Sequence, residues 1–225
     1  MQPTFSRRHL IRLAGAGTSA ALLAACGDSE ADRTVSANAT GAILDCVSTP
    51  EQDASAFDLD TAPERIDLTN GRPGSLLEIN FTVQDSDNCL PVPGAQVTLW
   101  HADASGNYSG FGDAADEDFL RGTQTSNASG TVQFTTIYPG WEPGRTTHLN
   151  VKIAFDGEQR LITQLFFPDD ITNSIYTSHE AYIDRGGKDR TNDTDPGGAR
   201  LARLRMEVIE ANTGHFASHA IGIST

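Results

Sequence analysis

Apolar and polar residues alternate in short runs through most of this chain. Leu77, Ile79, Phe81 and Val83 are interleaved with Glu78, Asn80 and Thr82. Ala95, Val97 and Leu99 follow a Pro93-Gly94 turn, and Val132, Phe134 and Thr136 repeat the pattern. It returns over residues 148–155 and 161–167, in Ala202, Leu204, Met206 and Val208, and over 216–223. A period of two is that of an extended strand with one face in a core, so seven short strands are predicted. Seven strands separated by turn residues predict an all-β fold, an antiparallel β-sandwich with long loops. One short helix interrupts them: Asp170 is read as its cap, with Ile171, Ile175, His179 and Tyr182 at helical spacing. Residues 185–198 (RGGKDRTNDTDPGG) are read as a long polar loop.

The first residues follow a different pattern. Arg7 and Arg8 precede a small, apolar run that ends in Leu23, Ala24, Ala25 and Cys26, too short for a comfortable membrane span. The segment resembles a twin-arginine export signal closed by a bacterial lipobox. That implies cleavage after residue 25, lipid on Cys26 and a location in the cell envelope. The alternative is an ordinary secretory signal with a chance cysteine. Residues 26–41 are small, polar and acidic, which suits a flexible tether, and 42–225 are then a single domain.

Composition narrows the partners. The chain carries a formal charge of −14, and losing Arg7, Arg8 and Arg12 with the leader makes it more acidic still. Such a surface repels nucleic acid. With Cys26 assigned to lipid, Cys46 and Cys89 remain as a pair in an oxidising compartment. They are either two buried thiols or a disulfide; a disulfide closes a loop of roughly 44 residues, worth about 4 kcal/mol in the chain-entropy picture. The reading adopted is a staple between the N-terminal arm and the sheet.

The chemistry concentrates between residues 130 and 155. Leu149, Val151, Ile153 and Phe155 share one strand face, while His148, Asn150 and Lys152 share the other. Two polar neighbours on one face can reach a common metal or ligand, and the preceding turn, with Tyr138, Trp141 and Glu142, is placed to wall it. His101 and His179 are read as surface or turn residues.

Several motifs in order carry a resemblance. They are Pro93-Gly94-Ala95, then residues 100–110 (WHADASGNYSG), then Phe119-Leu120-Arg121-Gly122, then residues 136–141 (TIYPGW), followed by Gly144, Arg145 and His148. Together they resemble the intradiol ring-cleavage dioxygenases, most of all their exported single-chain members. The resemblance implies Fe(III) held by two tyrosinates and two histidines, a small aromatic diol and O2 as substrates, and opening of the ring between the hydroxyl-bearing carbons. Carried residue by residue, it makes Tyr108 and His148 metal ligands. It puts Glu142 at the position of the second tyrosine and Asn150 at that of the second histidine. Glutamate can ligate iron; an Asn carbonyl is a weak neutral donor. Tyr138 stands one turn away as a replacement phenolate. Arg145 matches an arginine that steadies charge on the substrate, and Gln164 matches a glutamine behind the ligands. Ser55-Ala56-Phe57 replaces a Gly-Pro-Tyr segment that lines the pocket in relatives. Two functions follow: an envelope-anchored ring-cleavage enzyme with an altered metal site, or a non-catalytic lipoprotein that keeps the fold to bind a ligand or partner.

Overall fold

The computed structural model describes residues 47–53, 55–199 and 201–225. The predicted leader and tether, with Cys26 and Cys46, lie outside the described residues, and so does one end of the expected Cys46–Cys89 disulfide. Eight strands are present among the described residues: β1 (Leu76–Asp85), β2 (Gln96–Trp100), β3 (Arg121–Thr125), β4 (Thr131–Ile137), β5 (His148–Phe155), β6 (Glu158–Phe166), β7 (Glu207–Ala211) and β8 (Gly214–Ile223). They form two four-stranded sheets, ordered β4-β1-β8-β7 and β3-β2-β5-β6.

The inner faces are the predicted apolar registers. Leu77, Ile79, Phe81 and Val83 of β1, Val97 and Leu99 of β2, and Leu149, Val151 and Ile153 of β5 are all buried. Each such side chain removed from water contributes about 1.5–3 kcal/mol, so these alternating positions hold the two sheets together. Asp156 and Gly157, both at positive φ (54° and 76°), close β5 onto β6 in the mirror-image turn that matches strand twist.

Four details differ from the sequence-based expectation. The sandwich is not wholly antiparallel: β1 and β8 pair in parallel, from Leu77 opposite His215 to Asp85 opposite Ile223. An alternating pattern is the same for either direction, and no hairpin ties these two strands. The strand β3 has no apolar alternation and forms by pairing its backbone to β2, with the Thr98 and Thr123 hydroxyls 2.8 Å apart. Residues 202–204 are a 3-10 turn, and β7 starts only at Glu207, although Leu204 and Met206 are buried as the pattern required. The single helix is two. Helix α1 (Asp169–Ser178) begins after Pro168, with Asp170 inside its first turn and not its cap. His179 then leaves helical geometry (ψ 130°) and caps α2 (Glu180–Ile183) by accepting the Ala181 N–H.

The loops above the β5 end of the second sheet are drawn together by two glycines. A β-carbon on Gly140 would lie 2.2 Å from the Asp103 carbonyl, and one on Gly106, at φ 84°, would lie 2.4 Å from the Trp141 carbonyl. Only glycine allows the two backbones to approach this closely. The loop carrying Tyr108 is thereby packed on the turn carrying Glu142.

Candidate metal and substrate site

His148 opens β5 and Asn150 follows it on the same face. That face is covered by the 101–111 loop, the 139–145 turn and the segment around Phe57, so His148 and Asn150 are 3% and 1% exposed. The His148 Nδ1–H donates to the Thr146 carbonyl at 2.8 Å, which fixes the tautomer and leaves a lone pair on Nε2. Nε2 is buried and finds no hydrogen-bond partner. It lies 3.8 Å from Glu142 Oε1. Burial, reinforced by Arg145, lowers the His148 pKa to about 4, so the contact is one between a neutral imidazole and a carboxylate, and no ion pair.

Tyr108 is 4% exposed in the loop opposite. Burial pushes its phenol far above the usual range and Glu142 pushes the same way; a hydrogen bond from Asn150 and the cations of Arg145 and Arg121 oppose them. Glu142 itself is raised by burial, against the pull of Arg145. The Arg145 NH1 is 3.9 Å from Glu142 Oε1. The rest of its guanidinium is committed: Nε donates to Asp195 Oδ2 at 3.1 Å and NH2 to Gln164 Oε1 at 2.6 Å. Gln164 Nε2 in turn donates to Asn150 Oδ1 at 3.1 Å. The four residues first singled out for the metal, Tyr108, Glu142, His148 and Asn150, are therefore gathered with Arg145 and Gln164 behind them.

Other expectations fare differently. Tyr138 is no replacement phenolate: its hydroxyl pairs with Thr172 of α1 at 2.8 Å and its ring packs on Phe167. His101 is not at the surface; it is 1% exposed, held between the Ala102 carbonyl and the Thr136 hydroxyl, each at 2.8 Å. Residues 185–198 do form a long polar loop, and part of it is buried. It inserts Asn192 and Asp195, both buried, beneath the turn: Asn192 donates to the Phe167 carbonyl, and Asp195 accepts the Thr146 N–H. Sequence reasoning missed Asp195 because one aspartate among many in a polar stretch carries no pattern. Arg121, equally missed, is 2% exposed and donates to the Phe57 and Ser109 carbonyls, tying both walls of the site to β3.

Phe57 stands between two openings. One cavity of about 490 Å³ is bordered by Phe57, Glu142, Arg145, Gln164 and Pro196; a second of about 410 Å³ is bordered by Phe57, Tyr108, Arg72 and Asp103. Volumes of this order admit a monocyclic or small bicyclic ligand.

The donors present suit a hard metal ion. An orphaned imidazole nitrogen, a carboxylate beside it and a phenol make a nitrogen-oxygen set with room for further ligands. Asn150 offers less, because Gln164 occupies its oxygen. Among the described residues, no three His, Cys, Asp or Glu side chains gather to hold a metal.

Comparison with known proteins bears on the family and the fold. A family model described as dioxygenase matches residues 51–179. The chlorocatechol 1,2-dioxygenase of Rhodococcus opacus is 31% identical over 128 residues, 48% of this chain and 49% of that protein. An intradiol ring-cleavage dioxygenase from Tetranychus urticae is 27% identical and superposes with a TM-score of 0.73 over 80% of this chain and 95% of its own. The dioxygenase domain of a dioxygenase and carbohydrate-binding fusion from Streptomyces sp. SirexAA-E is 30% identical, with a TM-score of 0.63 over 79% and 99% of the two chains. The chain spans about half the length of the curated relatives it matches. With the sandwich, the order of motifs and the matched segment in agreement, the chain belongs to the intradiol ring-cleavage dioxygenase family.

Proposed function

We propose that this chain is a ring-cleavage dioxygenase of the intradiol type whose iron is held by Tyr108, Glu142 and His148, and which opens a small aromatic diol with O2. The observation that carries the reading is the His148 Nε2 lone pair, buried, without a donor, and 3.8 Å from Glu142 Oε1. A buried polar atom with no partner costs about 1–3 kcal/mol, which a bound cation or a ligand hydroxyl would offset. When bound, Fe(III) acts as a Lewis acid that favours the deprotonated diol. The side chains supply the rest. Glu142, whose Oε1 lies 3.8 Å from His148 Nε2, is placed to accept a proton from a diol hydroxyl. Arg145, oriented by Asp195, sets a cation near the negative charge that results. The rings of Phe57 and Tyr108 wall the site and keep water from one side of it.

A second reading has its own support. Tyr108 is the one phenol of the set and the Asn150 oxygen is taken by Gln164, so the donor set is weaker than two phenolates and two imidazoles. On that reading the pocket binds an aromatic diol without opening it. In either case, we propose an envelope location through lipid on Cys26, with residues 26–41 as the tether and Cys46 paired to Cys89.

One experiment separates the two. Protein expressed with iron is dialysed, assayed for bound iron, recorded in the visible range and followed for oxygen uptake with catechol. The enzyme reading requires about one iron per chain, a tyrosinate-to-iron band and oxygen consumption. Colourless, iron-free protein that still binds catechol supports the binding module.

A further inference from the structure

We propose that Asp195, acting through Arg145 and Gln164, locks the side-chain amide of Asn150 with its N–H toward the Tyr108 oxygen, making Asn150 a hydrogen-bond donor within the site and not a metal ligand. The direction of each link follows from which groups can donate. A guanidinium has no acceptor, so the Gln164 atom 2.6 Å from Arg145 NH2 is its oxygen, and the amide nitrogen must face the other way. That nitrogen meets Asn150 at 3.1 Å, where only an oxygen can receive it. The Asn150 Nδ2 is left on the far side, where it reaches the Trp100 carbonyl at 3.4 Å, and a hydrogen bond from this amide draws the Tyr108 phenol down against the larger effect of burial. The Trp100 carbonyl is an independent check, because a carbonyl accepts only and demands the same orientation.

Asp195 anchors the series. Its side chain is fully buried and takes Arg145 through Nε and NH2 at 3.1 and 3.2 Å, the Thr146 N–H at 2.6 Å and the Gly197 N–H at 2.7 Å. Gln164, Asn150 and Asp195 are 5%, 1% and 3% exposed, so water cannot rescue a reversed amide. Turning Asn150 over would set its N–H against that of Gln164, or force Gln164 to present N–H to the Arg145 N–H. Asp195 is thus a positioning residue, acting on Tyr108 through three side chains. The consequence for a metal is a donor set of Tyr108, Glu142 and His148 with the Asn150 position left open. Only that consequence rests on the iron-dependent reading above.

The test uses the full chain without added iron, so iron uptake and amide order are read separately. In isotope-labelled protein, a nuclear Overhauser contact between the Asn150 side-chain N–H protons and the Tyr108 ring is expected. The tyrosine Raman doublet, isolated as the difference from Tyr108→Phe, should report a hydroxyl that accepts a hydrogen bond. Gln164→Glu presents only acceptors to Asn150; the contact should then be lost and the doublet should shift toward that of a donor. Asp195→Asn should weaken the contact in folded protein. Absence of the contact in the natural protein overturns the proposal, as does an unchanged contact and doublet in folded Gln164→Glu. Should Gln164→Glu fail to fold, the contact in the natural protein decides alone. An unchanged contact in folded Asp195→Asn would remove Asp195 from the series.

Discussion

The ring of Phe57 lies flat on the ring of Tyr108, with centroids 4.0 Å apart and planes 7° from parallel. Phe57 also meets Phe111 edge-on at 5.2 Å and is fixed through its carbonyl by Arg121. One residue from an unpatterned N-terminal segment therefore holds the candidate phenol in place and separates two cavities.

Removing that ring should join the cavities. Phe57→Ala is expected to cost about 1–3 kcal/mol, below the usual range for a Phe in a core because the ring is only half buried. Affinity should shift in favour of a bicyclic diol over catechol. Calorimetric titration with both ligands checks this, and an unchanged preference would contradict the divider role.

Two of the three proposed donors, Glu142 and His148, can be removed singly. Glu142→Gln and His148→Ala should each lower iron retention after dialysis by more than about tenfold, since loss of an outer partner alone can cost 10- to 100-fold. Glu142→Tyr combined with Asn150→His should strengthen the visible band. Equal iron content in the natural protein and both single variants would rule out this donor set.

Acid should destabilise the metal-free fold before its carboxylates titrate. His101, His148 and His219 have pKa values of about 4 against an ordinary 6.5, in each case chiefly from burial. His101 also faces His148 and Arg121, which act in the same direction, while a hydrogen bond to Ala102 opposes them. Between pH 6.5 and 4 the unfolded chain takes up protons that the folded one refuses. Stability is therefore complete above that window and falls as pH is lowered through it, by about 1.4 kcal/mol per pH unit for each histidine. Thermal midpoints from pH 7.5 to 4.5 measure the slope, and a flat profile would contradict it.

Gly140→Ala should damage both stability and site. Its β-carbon would meet the Asp103 and Ala104 carbonyls at 2.2 and 2.8 Å, backbone atoms that cannot rotate away. A loss of about 1–3 kcal/mol is expected, with weaker catechol binding as the Tyr108 loop moves from Glu142. Gly157→Ala, in the β5–β6 turn, with nothing within 4 Å but φ at 76°, is the control. It should lower the thermal midpoint and leave ligand affinity unchanged.

Much of the fold was legible because packing obeys a local rule. Leu77, Ile79, Phe81 and Val83 alternate, and all four are buried in the register their spacing implies. β3 escaped notice because edge pairing uses backbone groups that every residue has. The break at His179 escaped because helical spacing continues across it to Tyr182.

Sequence alone determined the strand faces, the shared face of His148 and Asn150 and the motifs that mark the family, since side-chain direction along a strand is set by covalent geometry. Tertiary structure alone decided that β1 and β8 run parallel, that Asp195 reaches Arg145 across 50 residues, and that Phe57 covers Tyr108. Those outcomes depend on where distant segments meet, and no periodicity encodes the free energy of burying one charge against another or one ring on the next.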